Sequence, residues 1–172
     1  MTAGLRRHTR RVLVWSGLLA LAGLAGCAGM PERLAPGTPR SDIETRLGQP
    51  TAVHPLVSGT QLQYSRQPAG QQVYNLALDA QGRLRQVDQV MDLAWFHRIG
   101  VDTWTRQQVL QQFGRPALVE RVARFDGDIW TYRFLEVGWS RQAHIHFDPA
   151  GVVRRVMFTD EPVPDDSPDL EP

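Results

Sequence analysis

Residues 109–116 read Val-Leu-Gln-Gln-Phe-Gly-Arg-Pro, and residues 43–50 read Ile-Glu-Thr-Arg-Leu-Gly-Gln-Pro. In both stretches two apolar side chains lie four positions apart, on one face of a helix, and a glycine and a proline follow. Glycine adopts the left-handed conformation that ends a helix at little cost, and proline cannot continue the helix. Each stretch therefore predicts a short amphipathic helix, which ends at Gly48 or at Gly114.

The pairing continues along the chain and indicates an internal repeat. After the offset of 66 positions between the two helices, Leu62-Gln-Tyr64 matches Trp130-Thr-Tyr132 at an offset of 68. Leu78-Asp-Ala-Gln-Gly82 then matches Phe147-Asp-Pro-Ala-Gly151 at an offset of 69. Because the matches keep their order and nearly keep their spacing, the sequence predicts two tandem modules.

Each module has the pattern of two short helices followed by strands. Apolar and polar residues alternate, with aromatic side chains on one side, which is typical of half-buried strands. We therefore predict an α+β fold of two tandem modules, at residues 34–92 and 93–159. Each module is expected to have two short helices followed by a three-stranded antiparallel meander. The helices should cover one sheet face, and the other face should meet water or a partner.

Residues 1–26 have the layout of a signal peptide. Arginines without any acidic residue precede an apolar run from Val12 to Ala25. This run is shorter than the about 20 residues that cross a bilayer, so a permanent membrane helix is the weaker interpretation. The pair Arg10-Arg11 leaves a twin-arginine export route open beside the general one.

The end of this segment, Leu24-Ala-Gly-Cys27, resembles the lipobox of bacterial lipoproteins. The resemblance implies cleavage after Gly26 and lipidation of Cys27, the only cysteine of the chain. Residues 27–33 would then be a lipidated tether, and Ala28 favours the outer membrane of a Gram-negative host, with the protein facing the periplasm. The alternative is an ordinary signal peptide followed by an incidental cysteine.

Charge argues against a nucleic-acid partner. Without the signal peptide the chain has 15 arginines and 18 acidic residues, and six of those acids lie in residues 160–172. That segment is also rich in proline, so we predict an acidic disordered tail. The remaining body is only mildly basic, whereas nucleic-acid binding favours a strong basic cluster.

The ordered set of helix, Gly-x-Pro, aromatic-x-Tyr and Asp-x-x-Gly turn resembles the SmpA/OmlA (BamE-like) domain of envelope lipoproteins. The set occurs twice within residues 34–158 and follows the lipobox. A tandem pair of such modules also resembles the beta-lactamase inhibitor protein fold. The first resemblance implies an outer-membrane lipoprotein that binds other envelope proteins or lipid, and the second implies a sheet that grips a protein partner.

The sequence offers little sign of catalysis, and we predict no catalytic residue and no cofactor. His144 and His146 alternate on one strand, in line with Asp148, a spacing that suits a metal ion or a solvated sheet face. Trp139 is expected at a hairpin tip beside Arg141, and exposed Trp and Arg side chains are typical of protein-binding surfaces. We therefore treat Trp139, Arg141, His144 and His146 as possible partner-binding residues.

Three functions remain open on the sequence. The first is a non-enzymatic envelope lipoprotein that acts through protein–protein contacts in outer-membrane assembly or maintenance. The second is an inhibitor-like binding module for a periplasmic or secreted enzyme. The third is a metal or small-ligand binder that uses His144 and His146.

Overall fold

The computed structural model describes residues 29–162. The predicted signal peptide (1–26), the predicted lipid acceptor Cys27 and residues 163–172 of the predicted tail lie outside the described residues. Within the described range, no helix has both the length and the apolar character that a membrane span requires.

The first half of the described chain forms one four-stranded sheet with one helix. A 3-10 turn at Pro31–Arg33 precedes helix α1, and the four strands that follow pair in chain order, each antiparallel to the next. The elements are α1 (Arg40–Leu47), β1 (Ala52–Leu56), β2 (Gly59–Ser65), β3 (Val73–Asp79) and β4 (Leu84–Gln89). We call this sheet 1.

The second half repeats the order, and its strands form a separate sheet. The elements are α2 (Leu93–Phe96), α3 (Arg106–Phe113), β5 (Leu118–Glu120), β6 (Asp128–Glu136), β7 (Trp139–Phe147) and β8 (Val153–Asp160). We call this sheet 2. Strand β8 includes Asp160, and the backbone N–H of Glu161 donates to the carbonyl of Ser140. Two residues that the sequence assigns to the tail therefore belong to the folded body.

The predicted α+β fold of helix pairs and three-stranded meanders is wrong. Of the described residues, 17% are helical and 43% are extended, so the protein is mostly β. Each sheet has a fourth strand, β1 or β5, before the first strand that the alternation predicts. Strand β1 contains Pro55 and buries none of its side chains fully, and the three residues of β5 are all exposed. Edge strands of this kind lack the apolar pattern that marks a strand in a sequence.

The helix ends follow the prediction more closely than the helix starts. Helices α1 and α3 end at Gly48 and Gly114, whose φ angles are 79° and 74°. Helix α3 is capped by Thr105, whose hydroxyl accepts from the backbone N–H of Gln108 in a capping box. Helix α1 begins after Pro39 without a side-chain cap. The predicted first helices of the modules are only the 3-10 turn and the single turn of α2.

Two apolar cores follow from this arrangement, and the second joins the two halves. The smaller core lies between α1 and sheet 1, where Ile43 is fully buried against Leu62 and Leu76. The larger core lies between sheet 2 and helices α2 and α3, and it contains stacked rings of Phe96 and Phe113. Three side chains from the first half, Val73, Val90 and Met91, are buried in this second core.

Helix α3 lies between the two sheets. Its Phe113 packs in the core of sheet 2, and the carbonyls near its C-terminal end face sheet 1. There the side-chain amides of Gln61 and Gln63 donate to the carbonyl of Gln111 over 2.8 Å and 3.0 Å, and Asn75 donates to the carbonyl of Gln112 over 2.8 Å. These three side chains, which we call the amide cluster, satisfy helix carbonyls that would otherwise lack partners.

The amide cluster corrects a second expectation. The sequence predicts that each sheet covers one face with its own helices and leaves the other face open. In sheet 1 the second face is covered by a helix from the other module, because Gln63 and Asn75 point toward α3 and are almost fully buried.

Substitution of Asn75 by Ala should lower the free energy of unfolding by about 1–3 kcal/mol, because it leaves the carbonyl of Gln112 without a partner. It also removes one of the two acceptors of the Gln63 amide. Urea unfolding followed by circular dichroism measures the change. Gln107→Ala, on the exposed side of α3, is the matched control and should change the free energy by less than about 0.5 kcal/mol. A loss for Asn75→Ala no larger than the control's would contradict the role of the cluster.

Candidate binding surface

The four residues that the sequence singles out lie on two opposite faces of strand β7. Successive side chains of a strand alternate between faces, so Trp139 and Arg141 share the face of the buried Ala143. His144 and His146 point to the other face. The structure therefore brings the two histidines together and separates them from Trp139 and Arg141.

The two histidines lie at the centre of the uncovered face of sheet 2. His144 is opposite Thr131 of β6 and Met157 of β8, and His146 is opposite Arg155 of β8. We call this surface the outward face. The residues around its centre are Leu118, Glu120, Ile129, Thr131, Gln142, His144, His146, Arg155, Met157 and Thr159.

The imidazole of His144 is fixed on both sides by hydroxyl groups. Its Nδ1 lies 2.9 Å from Oγ1 of Thr131, and its Nε2 lies 2.8 Å from Oγ1 of Thr159. Burial lowers the pKa of His144 below its usual value, and the nearby carboxylate of Glu120 opposes this shift. The side chain is therefore neutral at pH 7 and fixed in one orientation.

His146 has a similar environment. The ring of Phe125, in the loop between β5 and β6, contacts it edge to face with 5.1 Å between ring centroids. Burial lowers the pKa of His146, and the positive charge of Arg155 and the neighbouring His144 lower it further. The centre of the outward face therefore has two neutral imidazoles at pH 7, although a histidine side chain can become a cation at lower pH.

Exposed apolar side chains and charged side chains both lie beside this centre. Leu118 and Met157 are 50% and 41% exposed. The exposed residues Glu120 and Arg155 belong to the same face, and Arg121 follows β5. A neutral centre with a charged rim is the usual composition of a protein–protein interface. Thr131, Thr159 and Met157 were not singled out by the sequence, although the register of neighbouring strands would have placed them beside His144.

The surroundings of these histidines bear on the hypothesis that they bind a metal ion. Both ring nitrogens of His144 lie within hydrogen-bond distance of hydroxyl groups, so an ion that bound this imidazole would have to displace one of them. Between residues 29 and 162, no group of three or more His, Cys, Asp or Glu side chains has the arrangement of a metal site.

Trp139 and Arg141 lie toward the tip of the hairpin between β6 and β7. Trp139 is 75% exposed. Arg141 is less accessible because its guanidinium pairs with Glu136 over 2.8 Å and with Asp160 over 3.2 Å. Trp139 is thus free to contact another molecule, whereas the charge of Arg141 is balanced by two carboxylates.

Comparisons with known proteins found no matching family and only weak structural similarity. No model of a known protein family matches the chain, and no curated protein matches it either. Among solved structures, a DUF4309 family protein (YjgB) from Bacillus subtilis subsp. subtilis str. 168 aligns at 14% identity over 72% of this chain and 79% of that chain. The TM-score of this alignment is 0.31, and a likeness of that size carries no argument about function.

A cleft of about 290 Å³ lies between the two halves, beside the amide cluster. Its walls include His54 and Gln63 of sheet 1 and Leu110 and Arg115 at the end of α3. Nε2 of His54 is buried there without a hydrogen-bond partner in the described part of the chain. Such an atom is uncommon in native proteins and marks a place for an ordered water or a polar ligand. Only the docking of α3 on sheet 1 creates this cleft, so the sequence gives no signal for it.

A second, larger cleft, of about 590 Å³, lies at the loop between β5 and β6. Two of its arginines share one carboxylate, because Asp128 accepts from Arg106 and from Arg121 at 2.8 Å and 2.7 Å. The hydrogen bond from Arg121 is the main reason that the pKa of Asp128 lies below its usual value. These contacts fasten the loop, which carries Phe125 toward His146.

The lowered pKa values of His144 and His146 predict how stability depends on pH. As the pH falls, the unfolded chain takes up these protons near its ordinary pKa of about 6.5, before the folded state does. The stabilisation is therefore complete above about pH 6.5 and is lost as the pH falls through the lower folded values. Urea unfolding between about pH 7.5 and about pH 5 should show this loss.

The double variant His144→Asn and His146→Asn should reduce the slope of stability against pH in this range. Gln142→Ala, on the same face, removes no titrating group and should keep the slope of the unchanged protein. A double variant that kept that slope would show that other groups cause the pH dependence.

Proposed function

We propose that this chain is a non-enzymatic lipoprotein of the cell envelope, anchored through Cys27 and facing the periplasm, that binds a protein partner through the outward face of sheet 2. The observation that carries the binding surface is the half-buried pair of neutral histidines. Two hydroxyl groups hold His144, and the exposed side chains of Leu118 and Met157 lie on the same face. The anchor is supported by the lipobox-like sequence before Cys27. A role in outer-membrane assembly or maintenance is the setting that the family resemblance suggests.

Physical reasons favour the outward face over the other surfaces. Binding is weakened by the entropy lost when flexible side chains are ordered, and His144 is already ordered before any partner arrives. Removal of water from a neutral imidazole is also less costly than removal of water from a cation. The opposite face of sheet 2 is covered by α2 and α3, and sheet 1 is covered by α1 and α3.

The anchor can be tested by fatty-acid labelling in a Gram-negative host. The unchanged full-length chain should incorporate an alkyne fatty acid, and Cys27→Ser should incorporate none, because the acceptor sulfur is lost. A second variant, which combines Cys27→Ser with Ser140→Cys, presents a thiol elsewhere and should also remain unlabelled. Labelling of either variant, or an unlabelled wild-type chain, would rule out lipidation at Cys27.

The partner surface can be tested by site-specific photocrosslinking in living cells. A photoreactive amino acid at Met157, on the outward face, should give a crosslink to one envelope protein. The same amino acid at the exposed Ala94 of α2, which packs against the opposite face of sheet 2, should not. Substitution of Met157 by Glu should then remove a crosslink formed from Gln142, because it buries an unpaired charge in the interface. Equal crosslinking from Met157 and Ala94 would count against the outward face.

A further inference from the structure

The hairpin between β6 and β7 ends in exposed apolar side chains that belong to neither apolar core of the described structure. We call Leu135, Val137, Gly138 and Trp139 the hairpin tip. Val137 is 96% exposed, Trp139 is 75% exposed and Leu135 is 46% exposed. The tip is apolar on both faces of the hairpin, since Leu135 and Trp139 point to opposite faces.

The turn itself is unfavourable for the residue that occupies it. Glu136 pairs with Trp139, so Val137 and Gly138 form a two-residue turn, with φ angles of 50° and 85°. Such turns favour Asn or Gly at the first position, whereas a β-branched side chain at positive φ is strained. Because Val137 makes no core contact that would offset the strain, the apolar side chain at this place needs another explanation.

The described chain begins at the end of sheet 1 where β2 passes into β3. Gly29 lies beside the C-terminal turn of α1. A Cβ atom built onto this glycine would be 3.9 Å from the carbonyl oxygen of Arg46 in that turn. The hydroxyl of Tyr64, near the end of β2, donates to the carbonyl of Gly48, which ends the same helix. Residues 66–72 connect β2 to β3 at this end.

The same loop contacts the hairpin. Nε2 of Gln67 donates to the carbonyl of Arg133, and the guanidinium of Arg133 donates to the carbonyl of Pro68 over 2.7 Å. Gln71 donates to the hydroxyl of Ser140 over 3.1 Å. Ser140 is directly opposite Leu135, so only the last strand pair, Glu136 and Trp139, and the turn project beyond the loop. The N-terminal attachment point and the hairpin tip therefore lie toward the same end of the molecule.

Charges next to the tip are paired. Arg141 pairs with Glu136 and Asp160, and Arg133 pairs with Glu161. This region therefore has little attraction for anionic groups. Its distinguishing property is an exposed apolar surface that another molecule could bury. Trp side chains favour the boundary between lipid and water, because the ring is apolar and its N–H can donate to a polar group.

We propose that the hairpin tip enters the interface of the membrane to which Cys27 is anchored, and thus gives this chain a second, apolar contact with a lipid surface. The inference rests on the proposed lipid anchor, because the anchor lies two residues before Gly29 and keeps this end of the molecule near the membrane. Apolar burial explains both the exposed Trp139 and the strained Val137, and the paired charges make the contact independent of anionic lipid.

The test uses the mature lipidated chain in phosphatidylcholine vesicles. Cys27 is the only cysteine and is blocked by its lipid, so Val137→Cys offers a single site for an environment-sensitive dye. Val57→Cys is the matched control, since Val57 is fully exposed at the tip of the hairpin between β1 and β2, at the other end of sheet 1. The dye at 137 should shift to shorter wavelength and be quenched by spin-labelled lipid, and the dye at 57 should remain as in water.

Anionic phosphatidylglycerol in the vesicles, or added salt, should leave the signal at 137 unchanged. A dye at 137 that behaves like the dye at 57 would overturn the membrane contact and leave the tip to a protein partner. The mass of the purified chain separates this failure from a failure of the proposed function, because it shows whether the lipid is present. An unlipidated chain would instead refute the anchor.

A second variant gives opposite effects on folding and on membrane contact. Val137→Asn places at the turn a residue that adopts positive φ easily, so stability in solution should stay the same or rise. Combined with Trp139→Thr, it should remove the quenching of a dye placed at Leu135→Cys. A loss of stability in Val137→Asn, or quenching that survives both substitutions, would contradict the proposal.

Discussion

Three side-chain amides of sheet 1 hydrogen-bond the C-terminal carbonyls of α3, and the arrangement of the whole molecule depends on this contact. Helix α3 places Val109 and Phe113 in the core of sheet 2, and Gln61, Gln63 and Asn75 bind its end to sheet 1. One helix thereby belongs to both halves. A buried polar network of this kind is stabilising only when its members are satisfied, so it specifies how α3 docks on sheet 1.

This contact also decides which surfaces remain available. Because α3 covers the second face of sheet 1, the face of sheet 2 around His144 and His146 is the broad sheet surface left uncovered. The hydroxyls of Thr131 and Thr159 orient one imidazole, and Phe125 packs against the other. Burial lowers the pKa of both imidazoles, so both rings are neutral at pH 7. The surface thus combines the low charge and the order that protein interfaces favour.

The hairpin tip follows a different physical rule. The strands of this hairpin are nine residues each, whereas β2 and β3 of the first module are seven residues each and are joined by a loop that packs on sheet 2. The longer hairpin extends past that loop, so its turn has no neighbour in the described structure. An apolar turn in this position is unfavourable in water, and its placement toward the N-terminal end suits contact with a lipid surface.

The sequence by itself determined the ends of the two longer helices and the inward side chains of the central strands. These features depend on residues close together in the chain: a glycine after an amphipathic turn, an aromatic alternation, an Asp-x-x-Gly turn. It also contained the alternation that separates Trp139 and Arg141 from His144 and His146, since residue parity along one strand fixes the face.

Only the tertiary structure decided the fourth strand of each sheet, the place of α3, the cleft beside His54 and the hydroxyl partners of His144. Strands β1 and β5 are edge strands without a buried apolar face, so they are formed by pairing with β2 and β6 rather than by their own pattern. The amide cluster joins Gln61, Gln63 and Asn75 to carbonyls 37 to 50 positions away. A glutamine in a sequence predicts an exposed position. It can be buried in the core only when a distant helix supplies a carbonyl that accepts from its side-chain amide.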